Sequence, residues 1–186
     1  MAENILKKIV ELKKKKIDKL KKELNHSDIL ESIKKNKKYI NFKSKILDNI
    51  KKNKISLIAE IKKASPSAGV IIENYNPVEI ANTYKLKNAT CLSVLTEEDF
   101  FYGNLIHISK IKEKVSLPIL CKDFFVDKFQ VSLAKSYGAD AILIILSAIS
   151  DQVADQIYNE ALKLEMSVIV EVHTNEEARR ALKYEN

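Results

Sequence analysis

The chain of 186 residues has no tryptophan, and only three glycines, three prolines and two cysteines. Three scattered glycines cannot form a nucleotide-binding loop, and neither GxGxxG nor GxxxxGK[ST] occurs anywhere. Cys91 and Cys121 both fall inside apolar runs, with no metal-ligand neighbour at useful spacing. They read as small core residues of a protein kept in the reducing cytosol, not as a disulfide or thiolate metal site. The longest apolar run, 141–149, is far too short to span a bilayer. Lysines interrupt residues 1–16 and leave no apolar core for a secretory signal. The reading is therefore cytoplasmic, with no membrane partner.

Arginine is scarce too, occurring only as Arg179 and Arg180, whereas lysine is abundant. The net charge of +7 is unevenly spread. Residues 1–54 hold 18 lysines against 7 acids, and residues 55–186 hold 14 basic against 18 acidic residues. The basicity belongs to the N-terminal segment alone. It lacks the arginines and interleaved aromatics that phosphate and base readout employ, so it reads as a solvated helix face and not a nucleic-acid surface.

Within that segment, Ile5, Ile9, Leu12, Ile17, Leu20 and Leu24 recur near helical spacing and predict an amphipathic helix over 4–24, with Asn4 as its N-cap. A second helix is expected from Ser27 or Asp28 through Ile33, and 42–53 reads as helical or irregular. From there a different rhythm sets in. Apolar runs at 56–61, 90–95, 118–121, 141–146 and 167–172 alternate with helical patterns at 77–86, 105–114, 128–137, 151–164 and 175–183. Pro77 after Asn76 suits a first helical turn, and Gly138 suits a helix C-terminus. Near-continuous apolar strands alternating with helices predict a parallel sheet covered on its faces. Without a dinucleotide fingerprint, five such units suit a (β/α) barrel better than a Rossmann fold. The expected organisation is an N-terminal helical extension over 1–54 and a partial barrel domain over 55–186.

In a barrel, chemistry collects at the C-terminal ends of the strands. Charged groups stand at four of the five ends here: Glu60 and Lys62, Glu97, Lys122 with Asp123, and Glu171 with His173. Residues i and i+2 of a strand face the same side, so Glu60 and Lys62 share one space. Ser65, Pro66, Ser67, Ala68 and Gly69 then supply turn chemistry and small residues for close approach. Such a charged pair is costly to build for packing alone and is suited to an anionic substrate. His26, His107 and His173 are scattered and read as structural or solvent-facing.

These residues resemble a known family. The stretch from Ala59 through Glu60, Lys62, Ser65 and Pro66 to Ser67 is similar to the first-strand signature of the indole-3-glycerol-phosphate synthase family. Leu92–Glu97 with Phe100, Phe101, Tyr102 and Gly103, then Pro118–Phe124 with Asp127 and Gln130, resemble its second and third motifs. Gly138 to Ser147, and Val170 to His173 with Glu176 and Glu177, resemble the fourth and fifth. The resemblance implies a TIM-barrel fold of the (β/α)8 type. The implied activity is a carboxy-lyase reaction of tryptophan biosynthesis: ring closure, decarboxylation and dehydration of carboxyphenylamino-deoxyribulose phosphate, without metal or organic cofactor.

By motif position, Lys122 is implied as the general acid at the substrate carbonyl and Glu171 as a proton acceptor. Lys62 is implied near the substrate carboxylate and in dehydration, with Glu60 orienting it. Ser65, Pro66, Ser67 and Phe124 are implied at the substrate. Ala68 departs from the family's lysine in this loop. Lysines pressed against one another lose proton affinity, which suits proton transfer near neutral pH.

The family has eight strands and the pattern here supplies five, so the reading expects an incomplete barrel with open edges. The sixth-strand asparagine motif and the glycine- and serine-rich phosphate loops have no counterpart in it. The expectation is a fragment with little turnover, from a protein that continues into further barrel units and, in some members, a fused phosphoribosylanthranilate isomerase domain. The alternatives are another phosphate-binding barrel enzyme, such as a phosphoribosyl isomerase, and a non-enzymatic remnant.

Overall fold

The five apolar runs form one parallel sheet, and side-chain alternation along it divides the molecule into an inner and an outer face. A computed structural model describes residues 2–35 and 38–184. Three helices come first: α1 (Ala2–Glu23), α2 (His26–Lys35) and α3 (Phe42–Lys51). There follow β1 (Ile58–Ile61), a short hairpin of β2 (Ala64–Ser65) and β3 (Gly69–Val70), and α4 (Pro77–Leu86). Strand–helix units then run β4 (Cys91–Leu95), α5 (Ile106–Lys114), β5 (Ile119–Lys122), α6 (Phe129–Ser136), β6 (Ala141–Ile145), α7 (Asp151–Lys163), β7 (Ser167–Glu171) and α8 (Asn175–Ala181). The sheet order is β1-β4-β5-β6-β7, parallel throughout. This is an α/β architecture of five parallel strands and eight helices among the described residues, of TIM-barrel type in its strand–helix succession.

The predicted elements all appear, with ends moved by one or two residues. At β5 the strand runs on by one residue to include Lys122. Where the sequence suggests only a turn, the structure has the β2–β3 hairpin. Its Gly69 has φ +65°, a conformation that glycine adopts without strain. Asn76 caps α4 by accepting the Val78 and Glu79 N–H groups, with Pro77 in the first turn as expected. Asn4 does not begin α1, which already runs from Ala2, and its side chain lies outside the described residues.

Ala59, Ile61, Leu92, Val94, Ile119, Cys121, Ile142 and Ile144 pack outward against Ala81, Ile108, Ile111, Val131, Ala154 and Ile157 of the helices. Cys91, Leu120, Ala141, Leu143 and Ile145 point the other way and meet Phe42 of α3. Phe42 is 1% exposed and closes the inner face near the N-terminal ends of the strands. Truncating a phenylalanine so buried costs about 3–5 kcal/mol, so it is a principal fastening of the N-terminal segment.

A second fastening sits beside it. The Asp140 carboxylate accepts the Ile40 N–H and the Ile119 N–H, each at 2.7 Å, and pairs with Lys112. Burial raises the proton affinity of Asp140 and lowers that of Lys112, and their contact opposes both shifts. Tyr39 adds a hydrogen bond to the Lys135 carbonyl, and the Lys135 ammonium lies 3.5 Å from the centre of its ring.

Two outcomes are expected. Asp140→Ala leaves Lys112 buried without its carboxylate and lowers the urea unfolding free energy by about 3–5 kcal/mol, whereas Glu31→Ala, from an exposed pair with Lys35, costs under about 1 kcal/mol. Burial also lifts the Cys91 and Cys121 thiols to about 12. Ellman's reagent at pH 8 should therefore find no thiol in the native chain and two after denaturation.

Candidate active site

The inner face changes character at its C-terminal end, where apolar residues give way to Glu60, Lys122 and Glu171. Lys122 ends β5 and Glu171 ends β7, and their Nζ and Oε2 atoms stand 3.6 Å apart, each side chain about one third exposed. They line a cavity of about 450 Å³ with Leu95, Leu143, Ile145, Ser147, Phe101, Phe124, His173 and Leu6 of α1. The Phe101 and Phe124 rings lie 6.2 Å apart, tilted by 41°. An apolar chamber with an ammonium and a carboxylate at one end can hold a flat aromatic group while a proton moves beside it.

A larger cavity of about 890 Å³ lies at the opposite end of the sheet, between α3 and the start of β7. Its buried charges, Asp140 and Lys135, are already engaged in fastening the N-terminal segment. The smaller chamber carries the acid–base pair and is the candidate site.

Glu60 and Lys62 form their own ion pair of 2.6 Å at the β1 edge, and the Glu60 carbonyl accepts the Tyr84 hydroxyl. They share the inner side with Lys122 but do not line the chamber. Ser65, Pro66 and Ser67 lie at the tip of the β2–β3 hairpin, also outside it. The Ser65 hydroxyl is 3.4 Å from that of Ser67 and accepts the Ala68 N–H. The structure thus assembles Lys122, Glu171 and Phe124, and leaves Glu60, Lys62 and the serine loop as a separate group. Each site lysine faces a carboxylate, not a second lysine as the sequence suggested.

Glu97, another strand-end acid, has a structural task. Its buried carboxylate accepts the N–H groups of Asp99, Phe100 and Phe101, and its carbonyl accepts that of Gly103. This loop carries Phe101 into the chamber. Only glycine fits at position 103, because a Cβ there would lie 2.3 Å from the Leu95 carbonyl oxygen.

Helix α1 is the component that sequence reasoning placed least well. Lys13 is 5% exposed and pairs at 2.7 Å with Asp123, which also accepts the Thr96 hydroxyl and the Phe124 N–H. Lys16 pairs with Glu98, and Lys21 with Asp127. The lysine-rich face is therefore partly a docking face. The signal was present: Lys13 lies four residues after Ile9 and four before Ile17, both buried, whereas Ile5, Leu12 and Leu24 are more than one third exposed. His173 is exposed, as the sequence suggests, and stands 3.3 Å from Glu171. His26 and His107 lie elsewhere, beside Phe129 and Tyr75. Among the described residues no three His, Cys, Asp or Glu side chains are grouped to hold a metal ion, and no helix is long and apolar enough to cross a membrane.

Comparison with known proteins gives a consistent result. Residues 6–186 match the sequence model of the family described as indole-3-glycerol phosphate synthase. The indole-3-glycerol phosphate synthase of Aliarcobacter butzleri is 44% identical over 182 residues, covering 96% of this chain and 68% of its own length. That of Acaryochloris marina is 40% identical, with 96% of this chain and 58% of its own length covered. The tryptophan biosynthesis protein TrpCF of Buchnera aphidicola is 43% identical over 98% of this chain and 39% of its own length. The chain spans about two thirds of the first relative and less of the other two.

Removing the Lys13 ammonium strands Asp123 under α1. Lys13→Met should weaken docking of the helix by about 3–5 kcal/mol, so trypsin cuts after Lys14, Lys15 and Lys16 at least about a hundredfold faster than in the parent. Cleavage at the parent rate would show that the pair does not hold the helix.

Proposed function

Because the chain belongs to the indole-3-glycerol phosphate synthase family, we propose that its strand ends form the acid–base part of a cytoplasmic indole-3-glycerol-phosphate synthase. The observation that carries this reading is the Lys122–Glu171 pair at the end of a chamber walled by Phe101 and Phe124. The substrate, carboxyphenylamino-deoxyribulose phosphate, brings an aromatic ring, a carboxylate, a carbonyl and a phosphate. The ring suits the phenylalanine-lined chamber, and the anionic groups suit lysines.

Ring closure joins a carbon of the aromatic ring to the substrate carbonyl, whose oxygen must gain a proton as the bond forms. Lys122 donates that proton, because an ammonium both supplies it and offsets the developing negative charge. Loss of carbon dioxide from the same ring carbon restores aromaticity. Dehydration then needs an acid at the departing hydroxyl and a base for the proton that leaves with it. Lys62, oriented by its ion pair with Glu60, serves as the acid, and Glu171 serves as the base. Ser65, Pro66 and Ser67 border the substrate from the hairpin.

The runner-up, another phosphate-binding barrel enzyme such as a phosphoribosyl isomerase, would need the same anionic grip but would close no ring. Incubation of the chain with the carboxyphenylamino substrate distinguishes the readings. The synthase produces indole fluorescence, and Lys122→Ala lowers its rate at least about a hundredfold while Lys19→Ala leaves it unchanged. Conversion of a phosphoribosylamine to its aminodeoxyribulose, with no indole from the carboxyphenylamino substrate, would favour the runner-up, and neither activity would favour a non-enzymatic remnant.

A further inference from the structure

We propose that His173 is a positioning residue for Glu171, holding one carboxylate oxygen so that the other faces Lys122; the inference rests on the functional reading above. Glu171 divides its two oxygens between two partners. Oε2 lies 3.6 Å from Lys122 Nζ, and Oε1 lies 3.3 Å from His173 Nε2.

His173 is itself held from behind. Its backbone N–H donates to Glu177 Oε2 at 2.8 Å, and its ring Nδ1 lies 3.8 Å from the same oxygen. Glu177 in turn donates its backbone N–H to the Thr174 hydroxyl, which caps α8. A line of contacts thus runs from the first turn of α8 through Glu177 and His173 to Glu171 and on to Lys122.

The physical case is one of rotamer freedom. A glutamate at a strand end, one third exposed, gives up much of its side-chain rotamer freedom when fixed. One partner at 3.6 Å leaves the carboxylate free to turn, whereas partners on both oxygens define its plane. Reaction rates respond steeply to that definition, since a displacement of about 1 Å can cost about a hundredfold. The charged groups around His173 fit this role: Glu171 and Glu177 touch it, Lys122 lies beyond Glu171, and Asp123 on the same chamber is occupied by Lys13. His173 remains more than half exposed, so it meets Glu171 from the solvent side.

The test uses the whole chain, labelled with 15N in its three histidines, with His173→Gln identifying the third ring. Glu171→Ala should move the His173 ring-nitrogen resonances and leave those of His26 and His107 in place. An unmoved His173 ring overturns the contact. In turnover of the carboxyphenylamino substrate, His173→Leu should lower kcat about tenfold to a hundredfold with KM within about twofold of the parent. His173→Gln, which keeps a side-chain N–H, should recover most of that loss; a merely structural histidine would show neither the split nor the rescue. Parent-like kcat in His173→Leu, with Glu171→Ala inactive, overturns the positioning role alone. An active Glu171→Ala contradicts the base assignment instead. A parent chain without turnover counts against the functional reading, and the ring-nitrogen spectrum then decides the contact.

Discussion

Side-chain alternation along five parallel strands is the constraint on which this molecule depends. Because Cβ atoms of successive strand residues point to opposite faces, the outward set is free to be uniformly apolar and to bury helices α4 to α7. The inward set must do two things. It is apolar from Cys91, Leu120 and Ala141, near the end that Phe42 plugs, up to Leu143 and Ile145. It becomes ionic at Glu60, Lys122 and Glu171. A slip of one residue in any strand would put these charges among the helices and an apolar side chain in the chamber. The placing of the charged strand ends is thus a consequence of the same periodicity that makes the core.

The N-terminal segment turns this sheet into a site. Its three helices span both ends of the inner face: α1 presents Leu6 and Lys13 beside the chamber, and α3 presents Phe42 at the other end. Between them α2 lies against α6 through Ile29, Phe129 and Leu133. Buried ion pairs mark the two fastening points, Lys13–Asp123 above and Lys112–Asp140 below. Such pairs contribute little net stability compared with apolar replacements, but breaking one leaves a buried charge exposed to its full desolvation cost. They therefore specify where the segment docks more than how tightly. Asp123 follows Lys122 and precedes Phe124, so the upper fastening also fixes two residues that line the chamber.

Much of this was legible in the chain. The strands and helices announce themselves by period, because a buried parallel strand and an amphipathic helix leave opposite patterns of apolar residues. The facing of Glu60 and Lys62 follows from their spacing, and Lys122 and Glu171 follow from the rule that barrel chemistry sits at strand ends. What was not legible depends on contacts between distant positions. Lys13 and Asp123 are 110 residues apart, and a lysine among lysines carries no local mark of burial beyond its place between Ile9 and Ile17. Phe42 opens a short helix whose own pattern does not show which end of the sheet it closes. The contacts of His173 escaped because they come from Glu171 on β7 and Glu177 on α8 together. The separation of the serine hairpin from the chamber likewise depends on how the β2–β3 hairpin folds, not on the order of its residues.

The central claim is that Lys62 and Lys122 meet the substrate and that the many other lysines do not. The most direct measurement is a lysine-resolved NMR titration of the chain, with Nζ-adjacent carbons labelled, against a substrate analogue whose carbonyl is reduced to an alcohol. The account predicts that the Lys62 and Lys122 signals move saturably together, while those of exposed α1 lysines such as Lys19 stay in place. A response spread evenly over the N-terminal lysines, with Lys122 no more affected than Lys19, would contradict it.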